Sequence, residues 1–336
     1  MSSRPSITSY TYRAKGTRRL PPMSSGHPKL RQLKRSTSLE WVYDAALEDT
    51  DAGPTDGRLV IRVGEDVAIF PLEERSVPMM DGSLPIMSYW YGKIKDIYWK
   101  TTSHNQEAWL DIQWYYRQVD LEDEGIDLAD CVGTYELVLS DHTSIVDMHC
   151  VETHATILRY DEGDLSQPQI PTETLYHRWT MNMHFVNRGN TVYLDGVNIC
   201  PRFIPMRYTE LTTIHTNVQR FCRTCDRWFN EICLVSNGRR MHKKTKVLLP
   251  SLCDGITFDK EFLALMTMPI RRGGPCGVVG NALIVAKIRT LITEAIKRGS
   301  LPDGWKEDIH KAGLTLTSSD KLIPRFYCLV CPEKVV

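Results

Sequence analysis

The chain has 336 residues, of which 42% are hydrophobic and 24% charged, and its formal net charge at pH 7 is zero. This length allows two or three domains and excludes a single small module. No apolar run approaches the ~18 to 20 residues that a membrane span needs, so we expect no membrane partner. The N-terminus has no apolar leader, and we therefore expect the ten cysteines to be free thiols or metal ligands rather than disulfides.

The charges are strongly segregated along the chain. Residues 1–39 hold nine basic and no acidic residues, whereas residues 40–59 hold one basic residue against six acidic ones. Residues 60–180 carry eight basic and 22 acidic residues, and residues 181–336 carry 23 basic and 13 acidic residues. Because fields of opposite sign attract opposite ligands, this pattern predicts both a basic peptide and a polyanion as partners.

The first 59 residues predict little packed structure. Residues 1–39 are rich in Ser, Pro, Arg and Lys and poor in periodic apolar residues, which predicts a disordered basic arm. Residues 40–59 are expected to be an acidic linker. Basic pairs in the arm are suited to phosphate contact or nuclear import, and a solubilising tail is the alternative interpretation.

From Leu59 the sequence is typical of a β-rich domain. Short apolar, aromatic or β-branched runs alternate with clusters of Gly, Pro, Asp and Ser, which indicates a barrel or a sandwich. Regular alternation of strands and helices is lacking, and this argues against a Rossmann-like enzyme. The predicted strands are 59–63, 66–71, 88–99, 107–117, 135–139, 144–147 and 155–158.

The C-terminal half changes to paired cysteines and then to helix. Asn281 is a plausible N-cap, apolar residues recur every three or four positions through Ala295, and Gly299 marks a stop. This predicts an amphipathic helix of about five turns. A shorter helix is predicted at 259–266. The glycine-rich run 271–281 lacks the ending of a phosphate-binding loop, so we interpret it as a tight turn into the helix.

Two Cys-x-x-Cys pairs form the most specific local signal. The first is Cys222 with Cys225, and the second is Cys328 with Cys331. Four thiolates complete a tetrahedral zinc site of the structural type, which leaves no position open for water. Four buried cysteines are the alternative, and two such pairs outside a secreted chain favour zinc.

No residue pattern points to catalysis. Ser140, Asp141 and His142 are the residue types of a hydrolase triad, but neighbours on a strand point to opposite faces and cannot form a hydrogen-bonded row. Metalloprotease and nucleophile-elbow motifs are lacking, so we expect no enzyme. Trp114 and Tyr116 share a strand face and, with a third aromatic ring, could surround a quaternary ammonium; from the pattern alone, core aromatics are the better interpretation.

Several motifs, taken in order, resemble the bromo-adjacent homology (BAH) family. They are G-K-I-K-D-I at 92–97, I-Q-W-Y-Y-R at 112–117, Y-E-L-V-L-S-D-H at 135–142 and L-Y-H-R-W at 175–179. The resemblance covers about residues 60–183. It implies a distorted β-barrel that contacts proteins, mostly histones, in the nucleus.

Family members with the W-Y-Y-R and S-D-H elements include readers of trimethyl-lysine on the histone H3 tail, notably the repressive lysine-27 mark. The resemblance implies a cage of Trp90, Trp114 and Tyr116, with Asp141 and His142 lining the peptide groove. It thus implies a reader in transcriptional silencing, with the H3 tail or nucleosome and silencing-complex subunits as partners. Some members have no cage, so a chromatin scaffold is the alternative.

The cysteine segment resembles a plant homeodomain (PHD) finger. The C-x-x-C-x-x-W-F-H-x-x-C core of that family is matched at 222–233 except that Asn230 replaces the histidine, and its Y-C-x-x-C ending is matched at 327–331. The family's cross-braced topology would place the altered positions in one site: Asn198, Cys200, Asn230 and Cys233. Amides are poor zinc ligands, so the resemblance implies one zinc ion, bound by the two Cys-x-x-Cys pairs.

The finger carries an unusually long insertion. It separates Cys233 from Cys328 by 94 residues and includes a helical segment at about 255–312, a layout similar to fungal chromatin proteins. The expected fold is α+β, with a mainly β N-terminal half, in which a distorted barrel precedes a single-zinc finger over residues 190–336. We also expect non-specific DNA contact through the basic arm and residues 239–246.

Overall fold

The computed structural model divides the chain into two compact units. Unit 1 comprises residues 1–159 and 172–201, and unit 2 comprises residues 160–171 and 202–336. The chain therefore contributes one short segment to unit 2 before it completes unit 1. No described helix is long and apolar enough to cross a membrane. The described residues are 10–13, 30, 33–42, 58–70, 80, 84–101, 106–126, 132–188, 191–199, 217–241, 256, 258, 260–311, 323–331 and 334–336.

Unit 1 is built almost entirely of strands. They are β1 Tyr10–Arg13, β2 Lys34–Ser36, β3 Ser38–Val42, β4 Arg58–Arg62, β5 Asp66–Ile69, β6 Trp90–Thr101, β7 Gln106–Tyr116, β8 Glu136–Asp147, β9 Val151–His154, β10 Leu158–Arg159, β11 Tyr176–Arg188 and β12 Thr191–Ile199. A short helix, α1 (Gln118–Asp123), follows β7. The runs predicted at 135–139 and 144–147 belong to one strand, because β8 pairs with β7 on both sides of residues 140–142.

Ten described strands form one sheet that does not close into a barrel. Its order is β1-β12-β11-β8-β7-β6-β5-β9, with β10 paired to β11 and β2 paired to β6; β3 and β4 pair separately. A closed barrel needs an unbroken ladder. Here β9 pairs with β5 and β10 pairs with β11, and residues 155–157 between them belong to no strand. The α+β, mainly β class is confirmed, whereas the closed barrel is not found in the described residues.

Parts of the predicted arm and linker form strands. β1 pairs with β12, β2 with the distal part of β6, and β3 with β4. Arg35 donates to Asp96 at 2.7 Å, and the Lys34 ammonium lies 5.0 Å from the centre of the Trp99 ring. The amino-acid composition does not predict these strands, because their hydrogen-bond partners are distant in sequence. Apart from Leu30, Leu33 and Thr37, the remaining residues of 1–57 lie outside the described residues.

Unit 2 combines a small sheet with a helical segment. Its elements are β13 Gln219–Cys222, β14 Arg227–Asn230, α2 Glu231–Ser236, α3 Lys260–Met266, β15 Arg271–Arg272, α4 Ala282–Arg298 and α5 Trp305–Lys311. The sheet order is β14-β13-β15. Helices α3, α4 and α5 share one core, which includes Phe262, Ile288 and Ile309. The predicted helix α4 is confirmed and ends at Gly299, whose φ of 80° is left-handed.

The glycine-rich turn before α4 is tight, as predicted. Gly280 has a φ of 77°, and a Cβ there would overlap the carbonyl oxygen of Arg271. Asn281 precedes the helix but does not cap it with its side chain. Its Oδ1 instead accepts from the Arg271 N–H at 2.7 Å, and its Nδ2 donates to the Pro269 carbonyl at 3.0 Å. Asn281 therefore holds the turn against β15.

Candidate functional sites

Strands β6 and β7 each carry aromatic side chains on both faces of the sheet. Tyr91 and Tyr115 are directly paired across the ladder and belong to one buried cluster. Side chains alternate along a strand, so Trp90, Trp114 and Tyr116 point to the other face. This alternation places the three predicted cage residues on one side of two neighbouring strands.

Trp90 and Trp114 form an edge-to-face pair. Their ring centres are 6.0 Å apart and their planes meet at 76°. Gly92 pairs with Trp114, and a Cβ at Gly92 would overlap the Ile112 side chain. The indole N–H of Trp114 donates to the Ser144 hydroxyl at 2.7 Å. The hydrogen bond orients the Trp114 ring, and the missing side chain at Gly92 leaves room for Ile112.

The third predicted cage residue, Tyr116, interacts with the predicted groove residue His142. The Tyr116 hydroxyl is 2.9 Å from His142 Nδ1, and the His142 ring centre is 5.6 Å from that of Phe185. Burial raises the pKa of Tyr116. Burial also lowers the pKa of His142, although Asp141 acts in the opposite direction. This pair is therefore neutral at pH 7.

The S-D-H element forms a bulge opposite Trp114. The β7–β8 ladder pairs Gln113 with Thr143 and Tyr115 with Leu139, so three residues of β8 face one residue of β7. The Ser140 hydroxyl donates to the Trp114 carbonyl at 2.8 Å. In the same bulge, the Asp141 carboxylate accepts from a backbone N–H of β11 at 2.7 Å. Each side chain of the element thus has a local partner, and the bulge directs His142 towards Tyr116.

A cation of the chain itself already covers one face of Trp90. The Arg117 guanidinium lies 4.9 Å from the centre of the Trp90 ring. Asp120 binds the same guanidinium at 2.7 Å, and the Met87 carbonyl accepts from it at 2.6 Å. Arg117 belongs to the W-Y-Y-R motif, but its contact with Trp90 was not predicted. The residue spacing gave a signal, because the side chains of Arg117 and Asp120 meet at the start of α1.

The predicted cage residues differ in their accessibility. Trp114 is 4% exposed and Tyr116 is 2% exposed, whereas Trp90 is only partly buried. A ligand that reached this cluster would therefore meet Trp90 first. Asp141 is exposed, but its carboxylate is already engaged with β11.

We predict that unit 1 loses stability as the pH falls below about 6.5, the ordinary pKa of histidine. Burial is the main cause of the lowered pKa of both His142 and His177. Because the folded pKa lies below the unfolded one, the unfolded state binds protons first. The stabilisation is complete above the unfolded pKa and is lost as the pH drops towards the folded pKa. Thermal unfolding followed by tryptophan fluorescence across this range measures the effect.

A matched pair of variants identifies the histidines responsible. His142→Gln with His177→Gln should flatten the pH dependence, whereas His154→Gln, at an exposed position, should leave it unchanged. An equally steep loss of stability in the double variant would contradict the assignment.

The four cysteines of the two Cys-x-x-Cys pairs lie together in unit 2. Their Sγ atoms are all within 4.8 Å of one another, and those of Cys225 and Cys328 are 3.8 Å apart. A tetrahedral zinc ion with Zn–S bonds of about 2.3 Å separates its sulfurs by about 3.8 Å. The sulfur positions therefore fit a tetrahedral metal ion with no open coordination position.

Backbone amides favour thiolates in both knuckles. The N–H groups of Val330 and Cys331 each lie 3.3 Å from Cys328 Sγ. Burial acts to raise the pKa of Cys222, but hydrogen bonds from its own knuckle and from nearby thiols lower it overall. Burial and neighbouring sulfurs raise the pKa of Cys225. One thiolate therefore opposes formation of the next, and a bound cation would relieve that repulsion.

The positions assigned by resemblance to a second metal site belong to different units. Asn198 lies in β12 of unit 1, where its Nδ2 is 2.5 Å from His184 Nε2. Asn230 is buried at the end of β14 in unit 2, and Cys233 lies in α2. Cys200 lies outside the described residues. Within the described part of the chain, the four-cysteine cluster is the group with metal-site geometry.

Segment 160–171 is held inside unit 2 by a buried ion pair that sequence analysis missed. Arg272 and Glu162 have side chains 3% and 5% exposed, and their charged groups are 2.9 Å apart. Arg272 Nε also donates to Gln219 Oε1 at 2.8 Å, and the guanidinium lies 4.2 Å from the Trp228 ring centre. The Trp228 indole N–H donates to the Glu162 carbonyl at 3.3 Å. No local pattern indicates this contact, because its partners lie far apart in the sequence.

Neither a protein-family model nor a curated protein sequence matches the chain. Among solved structures, the chain is similar to the crystal structure of the yeast Rsc2 BAH domain, at 12% identity and a TM-score of 0.23. The match covers 37% of this chain and 47% of that one, so it spans about half of the other chain's length. Similarity at this level assigns neither a partner nor a residue role.

Proposed function

We propose that unit 1 binds a methylated, lysine-rich histone tail, and that the chain is a nuclear chromatin reader in transcriptional silencing rather than an enzyme. The observation that best supports this is the Trp90–Trp114 pair, in which one indole face already carries a cation. Indole faces attract ammonium and guanidinium groups alike. Residues 60–180 carry 22 acidic and eight basic residues, and this negative charge suits a basic histone tail.

The preferred ligand is trimethylated lysine 27 of the histone H3 tail. A trimethyl-ammonium group has no N–H to donate, so it gains from an aromatic face without needing a hydrogen-bond acceptor. It would compete with the Arg117 guanidinium for Trp90. Asp120 would retain the displaced guanidinium through their ion pair.

Zinc is the metal we propose for the four-cysteine cluster. Cys222, Cys225, Cys328 and Cys331 would hold one ion, which supplies a structural cross-link and no open position for chemistry. The cluster joins β13 to a segment more than a hundred residues later. Its role in the reader is therefore to stabilise unit 2.

Trp90→Ala tests the reader function. Calorimetric titration of the full chain with a trimethylated H3 tail peptide should show a several-fold loss of affinity, because one well-placed ring contributes ~0.5 to 2 kcal/mol. Trp114→Ala is less informative, since removing a buried tryptophan costs ~3 to 5 kcal/mol of stability. Trp90 is partly exposed, so its loss should leave the fold intact.

Trp99→Ala is the matched control. It removes the same side chain from the same strand, at a position that contacts Lys34 rather than the cage. It should bind the peptide as the parent does. A parent that does not distinguish trimethylated from unmodified peptide would contradict the reader function and favour the alternative, a scaffold that binds chromatin proteins without reading methyl-lysine.

A further inference from the structure

Three short segments of unit 2 form a ribbon beside the cysteine cluster. Residues 239–241 pair with residues 325–327 through the Arg240–Phe326 bridge, and residues 334–336 pair with them through the Tyr327–Val335 bridge. Backbone hydrogen bonds flank both bridges, including Tyr327 N–H to the Arg239 carbonyl at 2.8 Å. We call residues 239–241, 325–327 and 334–336 the basic ribbon.

The two faces of the basic ribbon differ in chemistry. Phe326 is 1% exposed and packs in the core that contains Cys328. Alternation along the strand therefore places Arg325 and Tyr327 on the outer face, and Arg239, as the cross-strand neighbour of Tyr327, lies beside them. The outer face thus carries a tyrosine ring flanked by guanidinium groups.

Among the described residues, no acidic side chain forms an ion pair with the basic ribbon. Its nine residues include Arg239, Arg240, Arg325 and Lys334 and no acidic residue. Burial lowers the pKa of Arg325. Arg239 Nε is buried and has no hydrogen-bond partner among the described residues.

Glu231, an acidic residue of unit 2, is already paired with a buried arginine. Glu231 lies 2.8 Å from the fully buried Arg220, whose guanidinium is 4.7 Å from the Phe326 ring centre. The cationic side chains of the basic ribbon therefore have no carboxylate partner among the described residues, and they could bind an anionic ligand. A partly exposed tyrosine ring beside arginines resembles the surface that proteins use for single-stranded nucleic acids, where bases stack on aromatic rings and phosphates pair with Arg.

We propose that the outer face of the basic ribbon binds the phosphodiester backbone of single-stranded nucleic acid, with a base stacked on Tyr327. Arg239 and Arg325 bind phosphates on either side of that ring. This site belongs to unit 2, whereas the predicted cage residues belong to unit 1. Residues 242–246, which were also expected to contact DNA, lie outside the described residues.

The test measures binding of a short single-stranded oligonucleotide to the full chain by fluorescence anisotropy over a range of salt concentrations. Arg239→Gln with Arg325→Gln should weaken binding about tenfold or more at low salt and reduce the slope of log K against log salt by about 1.4, or ~0.7 for each phosphate contact. Tyr327→Ala should weaken binding about fivefold or more while leaving the slope unchanged.

Arg289→Gln with Arg298→Gln is the matched control, because it removes two exposed arginines from α4 in the same unit. It should change the affinity less than twofold. Zinc content and circular dichroism verify that each variant is folded. Equal losses in both double variants would overturn the proposal, since net charge alone would then explain binding. The proposal would also be overturned if Tyr327→Ala left the affinity unchanged and a polyglutamate peptide competed as well as the oligonucleotide. The partner would then be an acidic protein.

Discussion

A chain carrying Cys328→Ser should lose its zinc and the folded core around both cysteine knuckles. Cys328 is fully buried and packs with Phe229, Leu234 and Phe326. Zinc binding by small structural sites contributes about 10 to 16 kcal/mol that is coupled to folding. This is comparable with the whole stability of a domain, about 5 to 15 kcal/mol. Limited proteolysis and elemental analysis of the purified chain measure both losses.

The control substitutes a cysteine of the same unit outside the cluster. Cys276→Ser removes a partly buried thiol and should leave one zinc ion per chain and the proteolysis pattern of the parent. Retention of zinc and protease resistance by Cys328→Ser would contradict the assigned ligands. Two zinc ions per parent chain would contradict a single site.

Glu162→Ala should destabilise unit 2 by about 3 to 5 kcal/mol, because it leaves a buried guanidinium without its carboxylate. Arg272 retains Gln219 and the Trp228 ring as partners, but neither carries a negative charge. Hydrogen exchange at the backbone amides of β13 and β14 reports the loss within unit 2. A fragment that begins at residue 202 should show the same weakness, since it lacks segment 160–171.

Two further variants separate this effect from ordinary ion-pair loss. Glu261→Ala breaks an ion pair with Lys306 whose side chains are 41% and 51% exposed, and should cost less than about 1 kcal/mol. Glu162→Met with Arg272→Met removes both buried charges and should recover much of the stability. If Glu162→Ala costs no more than Glu261→Ala, Arg272 does not depend on Glu162.

Local patterns were sufficient to predict several elements of the fold. The strands near 59–63, 88–99 and 107–117 and the helix ending at Gly299 are encoded within single windows of sequence, through period-two alternation, helical periodicity and a left-handed cap. The two Cys-x-x-Cys pairs likewise needed no tertiary information, because each pair forms one knuckle and thiolates select metals by their chemistry. Alternation also placed Trp114 and Tyr116 on one face.

The pairing of distant segments was decided only by the tertiary structure. A period-two pattern shows which face of a strand is buried but not which strand lies beside it, so the open sheet and the strands of the basic arm could not be read from the sequence. The same holds for Arg117 above Trp90, for Glu162 beside Arg272 and for the basic ribbon. In each case the contact depends on side-chain packing or on backbone hydrogen bonds that only the folded chain brings together.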